Sequence, residues 1–266
     1  MADIHSSAVI HDGAQIASSA SVGPFCVVGP NVQIGENTVL QSHVSISGAT
    51  KIGKDCEIFP GAILGGRPQI LGATDEANET VIGDGTIIRE NVTINGSSPG
   101  KAEPTRLGKN CFIMVNAHIG HDAQIGDNCV FAANVMVGGH ARIANQVWMG
   151  GASGVHQNSW VGEHVFIAAG CILTGDVIPF VVAEGTSCSF NTLNAIGLTR
   201  RGFKRSDLKD IRTVIQAVFA PTDDELLFQD RVAKAREMFS DNRYATQILD
   251  FVEHPRNGRK LCPYKR

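Results

Sequence analysis

Apolar residues return every six positions through the first two thirds of the chain. The run is unbroken from Ile4, Ile10, Ile16 and Val22 to Leu64, resumes at Ile82, Ile88 and Ile94, and continues from Leu107 to Leu173. These 26 hexads match neither the 3.6-residue period of a helix nor the alternation of a half-buried strand. Glycine follows the apolar residue in twelve of the 26, where the chain's own glycine content would place about three. Each hexad therefore needs a tight corner. The fourth residue after the apolar one is small or β-branched, as at Ala20, Cys26, Val32, Thr38, Cys111, Ala117 and Ala123. One short extended segment and one turn per hexad, stacked at about 4.8 Å, predict a parallel β-helix with the apolar residue pointing inward. At three hexads per coil, the prism has nearly nine coils and a length of about 40 Å.

The period breaks at about 66–80 and 96–105, and both breaks read as loops extruded from the prism, where rigid scaffolds often carry function. Beyond Pro179 the period stops. Ser206 is placed to cap a helix carrying Leu208, Ile211, Ile215, Val218 and Phe219; Pro221-Thr222 ends it, and a second helix runs through Leu226, Leu227, Val232 and Phe239. The expected organisation is a β-helical domain over 1–187 and a helical domain over 188–266.

Charge adds one asymmetry. The whole chain is near neutral at −3, which argues against a nucleic-acid partner. Residues 1–187 hold 8 basic and 16 acidic side chains, whereas 188–266 hold 15 and 10, so the helical part is a basic cap suited to an acidic partner or to phosphates. No stretch approaches the ~18 apolar residues of a membrane span, and MADIHSSAVI lacks the features of a secretory signal. A cytoplasmic protein is expected. Five of the seven cysteines (26, 56, 111, 129 and 171) fall in the small interior slot and read as core residues rather than disulfide or metal ligands.

Between Leu107 and Leu173 the period is unbroken, so residues eighteen apart stack. His140 then lies over position 122 and His156 over position 120, beside His118 and His121; Gly139 lies over His121 and Asn134 over Asn116. His164 projects elsewhere. A cluster of four histidines has three readings: a solvated polar corner, a zinc site as in hexapeptide-repeat carbonic anhydrases, or a general base that takes a proton from a hydroxyl. In the last, Asp122 would orient the His121 imidazole and the Gly139 N–H would face a developing oxyanion.

The runs Asn116-Ala117-His118-Ile119-Gly120-His121-Asp122, Gly138-Gly139-His140, Val155-His156-Gln157 and Gly197-Leu198-Thr199-Arg200-Arg201-Gly202-Phe203 resemble the UDP-N-acetylglucosamine acyltransferases, which begin lipid A biosynthesis. The resemblance spans the chain. It implies a mainly β fold, a left-handed parallel β-helix of hexapeptide repeats with a C-terminal α-helical domain. It also implies a homotrimer with active sites between neighbouring prisms, and transfer of an (R)-3-hydroxyacyl group from the phosphopantetheine thioester of acyl carrier protein to the sugar 3-hydroxyl. No metal and no further cofactor is implied. By the same resemblance His121 is the general base, Asp122 its orienting partner and Gly139 the oxyanion donor. His118, His140, His156 and Gln157 shape the sugar and acyl-donor site, and Asn194, Arg200 and Arg201 meet the nucleotide. A small residue at Ala169 implies a medium-to-long acyl chain.

The chain departs from the family pattern where an acidic residue and a lysine usually stand, at Ile70 and Gly72. It departs again where a histidine is replaced by Asn95 and a glutamate by Ile196. These positions concern substrate recognition and leave open a 3-amino UDP-sugar acceptor, giving an amide, or a non-catalytic trimer that binds carrier protein or nucleotide.

Overall fold

A computed structural model describes residues 1–73, 78–100, 102–186, 188–220, 226–254 and 259–265. The Pro221-Thr222 break and the expected domain boundary at 187 lie outside the described residues. Each of the 26 hexads forms one short strand, from Asp3–Ile4 to Ile172–Leu173, ending on its apolar residue except at the two loops, where Ile63–Gly66 and Thr93–Asn95 run past Leu64 and Ile94. The strands pair in parallel with partners one coil away, so His118 pairs with Met136 and Ile119 with Val137, eighteen residues on. Three sheets result, a three-sided left-handed prism. We call its faces A, B and C in the order the chain visits them.

The corners explain the sequence periodicity. A Cβ on Gly126 would lie 2.5 Å from the Asn145 side-chain oxygen and 2.7 Å from its backbone nitrogen, so the stacked turn leaves no room for a side chain. Other corner positions take φ near +60°, and asparagine, aspartate and histidine fill most of them, including Asn116, Asp122, Asn134 and His140. Asn116 donates to Asn134 at 3.3 Å, one rung of a ladder on the A/B corner. Inside, the apolar residues and the small fourth-position residues form one continuous core, with Cys26, Cys56, Cys111, Cys129 and Cys171 among its buried members.

The three outer surfaces differ. Face A carries Val39, Ile87, Phe112, Val130, Trp148 and Phe166; face B carries Val9, Val27, Ile63, Met136 and Ile172. Face C carries Gln15, Gln33, Lys51, Arg106, Gln124 and Arg142. Faces A and B are thus mostly apolar outside as well as inside, with Asp3, Ser21 and Glu57 on A and Ser45, Thr93 and His118 on B as polar exceptions, and face C is mostly polar, with Val81 and Trp160 as apolar ones.

Past the last hexad, strand Val181–Glu184 still joins face A in parallel, and Ser189–Leu193 returns antiparallel to it. Four helices follow: α1 (Ala195–Arg200), α2 (Arg205–Phe219), α3 (Phe228–Met238) and α4 (Arg243–Glu253). The cap of α2 is not Ser206. Lys204 occupies that position, and its N–H donates to the Asp207 carboxylate at 2.7 Å, so the acidic residue in the first turn does the capping. Helix α4 buries Tyr244, Ala245, Ile248, Leu249 and Val252 at helical spacing. No helix among the described residues is long and apolar enough to cross a membrane.

His164, on the C/A corner, fastens the cap to the prism. Its ring stacks on Phe180 and meets Phe203 edge-on, with centroids 5.7 and 5.1 Å away, and its carbonyl accepts from Asn194 at 2.9 Å. Burial, and then the nearby Arg201 charge, push the imidazole down to about 4 from 6.5. The folded state therefore binds fewer protons here than the unfolded chain. The resulting stability is present above pH 6.5 and is lost as pH falls towards 4. His164→Phe is expected to narrow the drop in Tm between about pH 7 and pH 4.5 relative to wild type. An unchanged drop would assign the acid sensitivity to other groups.

Candidate active site

Both extruded loops leave the prism at the B/C corner: one joins strand Ile63–Gly66 to Glu79–Ile82, the other Thr93–Asn95 to Thr105–Leu107. His121-Asp122, Gly139-His140 and His156-Gln157 occupy the same corner on the three coils above, and His118 stands beside it on face B.

At the centre, His121 Nδ1 lies 2.7 Å from Asp122 Oδ2. The second loop completes this contact. The Ser98 N–H donates to Asp122 Oδ1 at 2.9 Å, the Ser98 hydroxyl donates to Oδ2, and the Asp122 N–H donates to Thr105 Oγ1 at 2.8 Å. The Asp122 side chain is only 6% exposed. Burial raises its pKa, but the hydrogen bonds from His121 and Ser98, with the His140 charge, outweigh burial and hold the carboxyl below its ordinary value. An ionised carboxylate only accepts, so the His121 proton sits on Nδ1 and Nε2 keeps its lone pair.

That lone pair faces Gly139. A Cβ there would stand 2.6 Å from His121 Nε2, so the space beside the nitrogen exists because residue 139 has no side chain. No described residue accepts from the Gly139 N–H. The His140 ring meets His121 edge-on at 5.0 Å, with Nε2 3.5 Å from Asp122 Oδ2. His118 Nδ1 lies 2.8 Å from Thr93 Oγ1, and burial, followed by repulsion from a charged His121, lowers its pKa, which favours the neutral ring.

His121, Asp122 and His140 bring three ligand atoms within 4.8 Å of one another. The donor geometry does not suit zinc. Two ligands of one tetrahedral zinc stand about 3.3 Å apart at bonds near 2 Å, whereas the 2.7 Å between His121 and Asp122 is that of a hydrogen bond, and Asp122 already carries two further ones from Ser98.

The remaining residues lie elsewhere on the chain. Asn194 is the N-cap of α1, accepting from Gly197 N at 3.1 Å; Arg200 and Arg201 end that helix, and Arg201 lies near His164. Within one chain this group belongs to the C/A corner, across face C from the histidines. Ala169 is exposed on the A/B corner. Asn95 is buried near the histidines: its Nδ2 donates to Arg67 O at 2.9 Å, and its Oδ1 has no partner. Ile70, Gly72 and Ile196 are exposed. Gly72 has φ +78°, so a lysine in its place would strain this loop path.

Known proteins with this architecture share its sequence as well. The family model for domain 2 of UDP N-acetylglucosamine O-acyltransferase matches residues 176–262, the bacterial transferase hexapeptide model 104–139, and the model of a GMPPB C-terminal domain 4–99. An acyl-[acyl-carrier-protein]–UDP-N-acetylglucosamine O-acyltransferase from Rickettsia bellii is 38% identical over 86% of this chain and 80% of its own. The chain belongs to the UDP-N-acetylglucosamine O-acyltransferase family. Two solved acyltransferases of this family superpose on it closely. The Francisella novicida enzyme has a TM-score of 0.92 at 35% identity, over 98% of this chain and 94% of its own. The Moraxella catarrhalis enzyme has 0.91 at 36%, over 97% and 99%.

Ser98, Thr105 and Thr93 support the acyltransferase corner without standing out in the sequence. The loops insert residues, so Ile63 pairs with Thr93 thirty residues on, and Thr93 with His118 twenty-five on. Counting by eighteen fails there.

Proposed function

We propose that this chain transfers an (R)-3-hydroxyacyl group from acyl carrier protein to the 3-hydroxyl of UDP-N-acetylglucosamine, the first step of lipid A biosynthesis. One observation carries the reading: an imidazole oriented through Nδ1 by a buried carboxylate, with Nε2 open beside a glycine N–H. His121 Nε2 takes the proton of the sugar hydroxyl as that oxygen attacks the thioester carbonyl, and Asp122 stabilises the imidazolium that forms. The tetrahedral oxyanion faces the Gly139 N–H. Collapse expels the phosphopantetheine thiolate, which receives the proton from His121. His118, His140, His156 and Gln157 shape the acceptor and thioester sites around this centre.

Two apolar faces support a homotrimer. In a ring of three, each copy offers two different patches to its neighbours, and A and B are the faces that an aqueous monomer would leave apolar. With face A of one prism against face B of the next, the B/C corner of one copy and the C/A corner of its neighbour form the two lips of a cleft. Asn194, Arg200 and Arg201 then stand opposite the histidines of the adjoining copy, and an elongated nucleotide sugar reaches from one lip to the other. Ala169 limits the acyl chain and, being small, admits a medium-to-long one. The basic helical cap docks the acidic carrier protein in the cytoplasm, and catalysis requires no metal. The relatives described above are named for acyl transfer to UDP-N-acetylglucosamine, which favours neither a 3-amino acceptor nor a scaffold without turnover.

The test is to incubate the protein with UDP-N-acetylglucosamine, other UDP-sugars and 3-hydroxyacyl carrier proteins, and to weigh the products. The expected product is a hydroxylamine-labile ester of UDP-N-acetylglucosamine, formed at the same rate with a chelator present. An amide, no product, or loss of activity on chelation would overturn the reading.

A further inference from the structure

The coils of the B/C corner are tied together by a backbone ladder that runs out near the top of the prism. His140 N donates to His121 O, and Asn158 N donates to Gly139 O, both at 2.9 Å and both nineteen residues apart. The next rung would join Asp176 N to Gln157 O. It does not form: Asp176 N donates instead to Lys260 O at 2.9 Å, because the tail after α4 returns here and pairs with the last coil. Gln157 O receives its hydrogen bond from the tail's Arg259 side chain, Nη1 at 2.7 Å.

Nη2 of the same guanidinium donates to Ser159 Oγ at 2.5 Å and Thr174 O at 2.9 Å, and Nε lies 3.6 Å from Asp176 Oδ1. Asp176 is 2% exposed and itself accepts from Trp160 N at 2.8 Å. The His156 ring also meets this carbonyl, with Nδ1 3.3 Å from Gln157 O. A carbonyl only accepts, so this contact places a proton on Nδ1. One carbonyl therefore links Arg259 to the tautomer and direction of His156, on the turn that packs over Gly139.

We propose that Arg259 is a positioning residue: it supplies the missing rung above the histidine corner and, through Gln157 O, orients His156 in the acyltransferase site. The inference rests on the acyltransferase reading of that corner. The planar fork is what the position requires. A lysine keeps the charge beside Asp176, but its single ammonium does not hold the Gln157 and Thr174 carbonyls together in the geometry of the fork.

The test compares Arg259→Lys and Arg259→Ala in the full-length protein, with Tm as the measure of folding. Arg259→Lys is expected to keep a Tm close to wild type. The 15N signals of the His156 ring, assigned by their loss in His156→Gln, are expected to move. kcat/KM is expected to fall about tenfold or more, mainly through KM. On a His156→Ala background the same change is expected to cost almost nothing further, because the two residues act in series. Unmoved His156 signals, a wild-type kcat/KM in Arg259→Lys, or full additivity with His156→Ala would overturn the proposal. Absence of turnover in the wild type would count against the acyltransferase reading alone, and the ring signals would still decide the role of Arg259.

Discussion

His121→Ala is expected to lower kcat by roughly 10²- to 10⁴-fold, with little change in Tm. The size of the effect follows from what the imidazole does twice in one turnover. It removes the hydroxyl proton as the oxygen attacks, which avoids both a free alkoxide and a protonated oxygen in the tetrahedral intermediate, and it returns that proton to the departing thiolate. No neighbour is set up to replace it. His118 spends Nδ1 on Thr93 and stands on face B, and His140 directs Nε2 towards Asp122 rather than away from it. Folding is spared because the side chain stands on a corner outside the apolar repeat positions; its loss exposes Asp122, which Ser98 still satisfies. The measurement is steady-state kcat and KM for both substrates alongside a melting curve. A kcat within a few-fold of wild type in a folded mutant would remove His121 from the chemistry.

The geometry around His121 was readable in advance to the extent that the prism repeats itself. Each inward position of the prism sees the same environment, so a hexad register read at Ile113 still holds at Ile167. Within that uninterrupted block, subtraction alone places Gly139 over His121 and His156 two coils above Gly120. The same arithmetic fails at an insertion. Thr93 and Ser98 reach the site from a coil whose spacing to the next is twenty-five residues, and nothing in a serine of a Ser-Ser-Pro-Gly loop marks it as the partner of a buried carboxylate.

Irregular ends were also hard to read, for a related reason. The Ser206 cap followed from residue type, but Lys204 won because Asp207 supplies the acceptor for its N–H; the capping carboxylate is what fixes the helix start. The apolar spacing of α4 is present in the sequence at Tyr244, Ile248, Leu249 and Val252, but the two helices expected from the sequence end at Phe239. Arg259 was not legible either. Its place depends on a tail that returns, 85 residues after Thr174, to finish one hydrogen-bond ladder.

Gly139→Ala is expected to lower kcat/KM by roughly 10²- to 10³-fold while leaving the protein folded, whereas Gly138→Ala is expected to lower Tm. A Cβ on residue 138 would lie 2.5 Å from the backbone nitrogen of Gln157, so coils must separate to accept it, and Tm falls. For a Cβ on residue 139 the three nearest atoms all belong to the His121 ring. Its nearest atoms are Nε2 and Cε1 of His121 at 2.6 and 2.7 Å, the far end of a side chain that rotates aside at little cost to the fold. Rotation breaks the 2.7 Å bond to Asp122 and carries the proton-accepting nitrogen away from the place where the hydroxyl and the Gly139 N–H converge. The two glycines are adjacent and chemically identical, so they separate a stacking requirement from a catalytic one. Equal losses of Tm in both mutants, or full activity in Gly139→Ala, would mean that the open space beside Nε2 serves packing and that the oxyanion is stabilised elsewhere.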